Sequence, residues 1–392
     1  YFNKNFVNYK IDAEKGEGPE LAGKYEVSAY PTLVFVNAAG ELVYKFMGVR
    51  TADKLIAEGE KAVRLYALAP SIAAMEKEYE QGKRGKVFLG EYYALLKESG
   101  AGGGIVLNEY LKCLSDEELL LEENVSNIGN ISIFDPVLFD RLVKGIKKVE
   151  GENKKLGNRL NTSVMKSLSA CFATCVKEKD EKALEGILGV KAGLGNLENG
   201  MSAMMGGGKS YLPAEQLRLD FYSNNRLDDK FKTLMSEYMI AQQQENSIDS
   251  LRKTEEITNR HFEMLIDSAR MKNDSAAIVS IRKTMGMASL FGGVKYKLLS
   301  SFVISATRHY WKITDQQNVG EKKKCIAWVN YAYQLDRTPA TAWGCADLLE
   351  EIGEKQGAKK LLNDVLEVIK NNSLSDADPK DIQSVTERVE KM

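Results

Sequence analysis

The sequence predicts an α/β segment over residues 1–66 followed by a larger all-α region over residues 67–392. Three observations carry this expectation. Residues 6–46 hold alternating and continuous apolar runs of strand length, joined by turns rich in Gly and Asn. Beyond Ala69 the apolar residues recur at helical spacing and no strand pattern returns. Glycines and prolines fall between the periodic stretches, where they close one helix and open the next.

The first elements follow in order. Phe6–Asp12 alternates, with Phe6, Val7, Tyr9 and Ile11 apolar, and is expected to be a strand. Glu14–Gly18 is a turn, and Pro19 opens a short helix through Tyr25. Leu33–Val36 is a continuous apolar run, the pattern of a strand buried on both faces. Asn37–Gly40 reads as a hairpin turn, with Glu41–Phe46 as the returning strand and Gly48 as its end. Thr51 caps a helix through Ala67 whose inner face carries Leu55, Ile56, Gly59, Val63 and Tyr66.

This order of elements, with Val27-Ser28-Ala29-Tyr30-Pro31-Thr32 just before the buried strand, resembles the thioredoxin family. The runs DAEKGEG, LAGKYEV, YPTLVF and GELVYKFMG are similar to those of its extracytoplasmic bacterial members. The resemblance covers about a sixth of the chain. It implies a cis peptide bond before Pro31, with Tyr30 and Pro31 forming one wall of a substrate groove that pairs with an extended peptide. Read from the residues alone, Pro31 is a turn proline leading into a strand. The resemblance also implies a preceding strand, lying between Phe6–Asp12 and Thr32–Asn37, and a helix that begins with C-x-x-C. Neither is in this sequence, where no cysteine precedes Cys113. The domain is therefore expected to be incomplete, with its reactive cysteines outside this chain. Without the central strand, the two strands that should flank it lack a common partner. The start at Tyr1-Phe2-Asn3, with no Met and no leader, predicts that upstream residues have been removed.

In the helical part, helices are expected over Ser71–Lys83, Lys86–Gly100, Val137–Lys148, Arg159–Lys177 and Asp180–Ile187. Gly189–Gly208 reads as a loop or domain joint, which divides the region into 67–200 and 201–392. Pro213–Tyr222, Asp228–Gln244, Glu255–Lys272, Ser275–Phe291 and Leu298–Trp311 complete the helices expected before the C-terminal repeat. That repeat is internal: Cys325, Trp328, Val329, Ala332 and Tyr333 return 33 residues later as Ala358, Leu361, Leu362, Val365 and Leu366. With Ala346, Leu349, Gly353 and Ala358 between, the spacing resembles tetratricopeptide repeats near 298–371. The resemblance implies a superhelix of helix pairs whose groove holds peptides or partner proteins.

Lys and Arg total 54 against 55 Asp and Glu, a net charge of −1, which gives no footprint for nucleic acid or an anionic membrane. No apolar run is long enough to span a membrane. The five cysteines are few and scattered, unlike a disulfide framework. Cys171 and Cys175 sit four apart on one helix face, a poor spacing for a disulfide, and read as small core residues; Cys113, Cys325 and Cys345 read likewise as buried. Ala203–Ser210 (AMMGGGKS) resembles a relaxed phosphate loop but follows no strand, so a flexible joint is the better account. His261 and His309 stand within helices without ligand-spaced neighbours. The acidic run Asp116–Glu123 and the basic run ending at Lys324 read as solvated helix faces. Trp311, Trp328 and Trp343 are expected to pack the terminal helices.

Together the resemblances imply a thiol–disulfide oxidoreductase or redox chaperone of the bacterial cell envelope, periplasmic or otherwise extracytoplasmic. Its helical region would bind client proteins, and no cofactor or metal is called for. The other reading is a non-catalytic interaction scaffold that works through the helical-repeat groove.

Overall fold

The computed structural model describes residues 1–100, 102–194, 213–272, 274–371 and 379–392. They fall into two compact units, 1–171 and 172–392. Among the described residues the only sheet is a two-stranded hairpin, and all other regular structure is helical.

The first unit opens with a helical turn, α1 (Phe2–Asn5), and a short helix, α2 (Gly18–Lys24). Strands β1 (Thr32–Val36) and β2 (Leu42–Met47) pair antiparallel, with Leu33 opposite Phe46 and Phe35 opposite Tyr44. The turn between them is closed by Asn37, whose Oδ1 accepts from the amides of Ala39 and Glu41 at 3.0 and 2.9 Å. Gly40 takes φ +75°, a conformation that costs glycine little. One face of the hairpin buries Phe35 and Phe46 against Phe2, Phe6, Leu55 and Ala62. Helix α3 (Ala52–Glu80) supplies Leu55 and Ala62.

Two expectations in this unit are corrected. Phe6–Asp12 is extended but joins no ladder, and Val7 and Tyr9 point into solvent at 102% and 82% exposure. Among the described residues no strand lies beside it to take up its backbone groups, so its alternation has no sheet to act on. Secondly, α3 runs through Pro70 as one helix where the sequence suggested two. Proline removes one amide from the ladder, yet the flanking alanines at 67, 69, 73 and 74 keep helix propensity high.

Helices α4 (Lys86–Ser99), α5 (Gly104–Lys112), α6 (Asp116–Leu119) and α7 (Glu122–Ile128) follow. The last three lie in a stretch whose turns of helix are too short for periodicity to reveal. Ser115 and Glu118 form a reciprocal capping box that starts α6. Helix α8 (Pro136–Glu152) begins at Asp135, whose carboxylate accepts from the Leu138 amide at 2.9 Å. Leu107, Leu111, Ile128, Leu138, Phe139 and Leu160 are fully enclosed around these helices.

Helix α9 (Lys154–Glu178) contains the division between the units, and α10 (Glu181–Gly193) continues past Ile187 into the stretch expected to be loop. The rest of that expected joint, and the glycine-rich run Ala203–Ser210, lie outside the described residues. The second unit then carries α11 (Ala214–Asn224), α12 (Asp228–Glu245), α13 (Ile248–Met271) and α14 (Ser275–Ile313). Helix α14 is continuous where two helices were expected; an interior glycine costs about 1 kcal/mol but still donates its ladder bond. Helices α15 (Val319–Leu335), α16 (Pro339–Glu351), α17 (Lys355–Asn371) and α18 (Pro379–Lys391) close the chain.

The core of this unit gathers Phe231, Met235, Val303, Tyr310 and Trp328 with the positions of the internal repeat. Cys325, Val329, Ala332, Ala346, Leu349, Ala358, Leu362 and Val365 are each 0% exposed. Small residues at 332, 346 and 358 let the helices approach closely. Gly353, at φ +80°, turns the chain between α16 and α17.

Candidate functional site

The segment before β1 is held tightly except at one residue. Lys45 donates to the carbonyls of Tyr25 and Glu26 at 2.8 and 3.0 Å, and Thr32 Oγ1 donates to the Ala29 carbonyl at 2.6 Å. The Pro31 carbonyl accepts from Gly48 at 2.8 Å, which ties it to the end of β2. The Tyr30–Pro31 peptide bond is cis. Tyr30 itself is 58% exposed, and among the described residues no hydrogen bond reaches its backbone. The neighbouring strand β1 pairs with β2 along one edge, and no described strand covers the other. Tyr30, Pro31 and that open edge form a surface able to receive an extended chain, by backbone pairing and by contact with the tyrosine ring.

The thiols are sorted by burial. Cys171, Cys175, Cys325 and Cys345 are buried, as expected, and Cys113 is exposed, which corrects the reading of it as buried. Cys113 immediately follows α5, where the helix ends, so its side chain clears the core. Burial pushes the thiols of Cys175, Cys325 and Cys345 up to about 12, so they are un-ionised at neutral pH. Native protein should therefore show one thiol of five reacting rapidly with a disulfide reagent, and the other four only on denaturation. Counting the fast phase before and after a Cys113→Ser change checks this; a second fast thiol would contradict the burial.

The histidines belong to no metal-ligand group among the described residues. His309 packs edge-on against Phe231 at 4.6 Å, and its Nε2 is enclosed without a partner. Burial holds its pKa below the usual histidine range. His261 lies exposed on α13. Among the described residues no group of three or more His, Cys, Asp or Glu side chains could hold a metal ion.

Two polar constellations in the second unit have no signature in the sequence. Asp364 accepts from Tyr333 Oη and from Arg337, both at 2.7 Å, which joins α17 to the end of α15. Arg388 meets Asp347 at 2.7 Å and Glu350 at 3.1 Å while lying over the Trp343 ring, which fastens α18 to α16. Each joins residues distant in sequence, so no local spacing announces it. Beside them is an open cleft of about 910 Å³, lined by Lys355, Lys359, Lys360 and Lys391 together with Asp364 and Glu367.

No family model matches this chain, and no curated protein matches it in sequence. Among the described residues no helix is long and apolar enough to cross a membrane.

Proposed function

We propose that residues 1–66 are the peptide-binding side of a thioredoxin-like domain in a thiol–disulfide oxidoreductase or redox chaperone of the bacterial cell envelope. The observation that carries this reading is Tyr30: an exposed ring on a backbone without hydrogen bonds, beside the open edge of β1. An extended client segment pairs with that edge and lies against the ring. The chemistry requires a thiolate to attack the client disulfide, form a mixed disulfide and be released by a second thiol. No C-x-x-C occurs in this sequence, so the reactive pair lies on residues outside it.

The test is thiol counting by intact mass on the product of the whole gene, reduced and oxidised. A pair that cycles between dithiol and disulfide, beyond the five cysteines here, supports the proposal. Absence of such a pair ends it. For the groove itself, Tyr30→Ala should weaken capture of an extended disulfide-bearing peptide about 10-fold in a fluorescence titration. Unchanged affinity removes Tyr30 from the site.

The second reading is a non-catalytic scaffold in which tetratricopeptide-like helix pairs hold a protein partner. The buried small residues of the internal repeat and the lysine-lined cleft beside α17 and α18 favour it. It stands if the whole gene product carries no cycling thiols yet still retains client proteins.

A further inference from the structure

Helix α13 turns one face inward and leaves the other in solvent. Ile266 and Ala269 are buried, and the helix packs against α14 and α15. On the opposite side Ile257, Met264 and Met271 are 60%, 70% and 85% exposed. They recur every seven residues, and Leu265 lies exposed beside them. Single exposed apolar side chains are ordinary on a protein surface, but a row in heptad register along a 24-residue helix is the seam of a helix pair.

The charges beside the row are ordered too. Arg260 flanks its first half and Asp267 its second, seven apart on either side of Met264. A row with a base on one side of its centre and an acid on the other complements a reversed copy of itself there. We propose that this face joins two copies of the chain in an antiparallel seam centred on Met264. In that register Met264 meets its own copy at the two-fold axis, and Ile257 meets Met271 of the second chain. Arg260 faces Asp267, twice by symmetry. A parallel pairing offers Asp267 only Lys272, which lies past the end of the helix.

Within one chain Arg260 is bonded to Glu256, and Arg270 to Asp267 at 3.0 Å. Both are exposed intrahelical pairs of little worth, so they exchange readily for contacts across the seam. Thr254, His261 and Ser268 occupy the alternate seam positions. The seam is therefore apolar at every second layer only, which makes a dimer that dissociates on dilution.

The experiment is sedimentation velocity of the full chain over a range of concentrations. A concentration-dependent dimer is expected. Met264→Glu, which sets two carboxylates together on the axis, should raise its dissociation constant at least about 30-fold without changing the far-ultraviolet circular dichroism. Arg260→Asp and Asp267→Arg should each weaken the dimer, and the double variant should restore it. A protein monomeric throughout, or a dimer indifferent to Met264→Glu, overturns the proposal. Failure of the double variant to recover overturns the antiparallel register.

Discussion

Replacing Trp328 by alanine should lower the unfolding free energy of the second unit by about 3–5 kcal/mol, the range for deleting a buried tryptophan. The indole is 6% exposed within the apolar core of this unit. It stands edge-to-face on Tyr310, with ring centroids 4.9 Å apart and planes at 81°, an arrangement that adds stabilisation beyond area. Tyr310 is itself pinned, its hydroxyl donating to Glu321 at 2.6 Å, and this bond holds the Glu321 carboxyl below its usual range. Truncation at Trp328 thus opens a void that Tyr310 is not free to fill. Urea unfolding followed by circular dichroism measures the effect. Trp328→Phe, which keeps a ring against Tyr310, should cost markedly less. A loss under about 1 kcal/mol for the alanine variant would show that the core closes around the gap.

Gly18→Ala should be nearly as costly, by a different route. Gly18 begins α2 and is buried, and a Cβ placed there would sit 2.0 Å from the Asp12 carbonyl oxygen and 2.7 Å from Ala13 Cα. Those are main-chain atoms, so no rotamer change relieves the collision. The chain must move instead, and Gly18 is tied there by its amide bond to the Lys15 carbonyl at 2.9 Å. A loss of about 3 kcal/mol, at the upper end for overpacking, is expected, with faster amide exchange across residues 12–25. Gly16 is the control. It adopts φ +58°, and a Cβ there would meet nothing within 4 Å, so Gly16→Ala faces only backbone preference, about 1 kcal/mol. Equal effects at the two positions would refute the steric argument.

The hairpin was readable because each of its parts is local. The apolar run of β1, the Asn37–Gly40 turn and the return of β2 all lie within 16 residues. Phe6–Asp12 misled for the converse reason, since a strand pattern records a preference that only a neighbouring strand can realise. The long helices were legible from spacing, while α5 to α7 are too short to show a period. Glycines and a proline suggested breaks that α3 and α14 do not have, because one weak rung does not end a helix that its flanking residues favour. At the candidate site the sequence singled out Tyr30 and Pro31. The ties from Lys45, Thr32 and Gly48 that leave Tyr30 alone unengaged arise only once the chain has folded. So do the salt bridges that fasten α17 and α18, whose members are up to 41 residues apart.

Helix α3 gives the first unit a mechanical property. Its opening turns lie under the hairpin through Leu55 and Ala62. Its far end presses Tyr79 against Tyr92 of α4, at 5.6 Å between rings. Some 29 residues at about 1.5 Å each make a rod roughly 44 Å long, unbroken from one end to the other. A force that tilts the hairpin therefore swings a lever whose tip is lodged among the helices. Pro70 leaves that rod one backbone hydrogen bond short along its length.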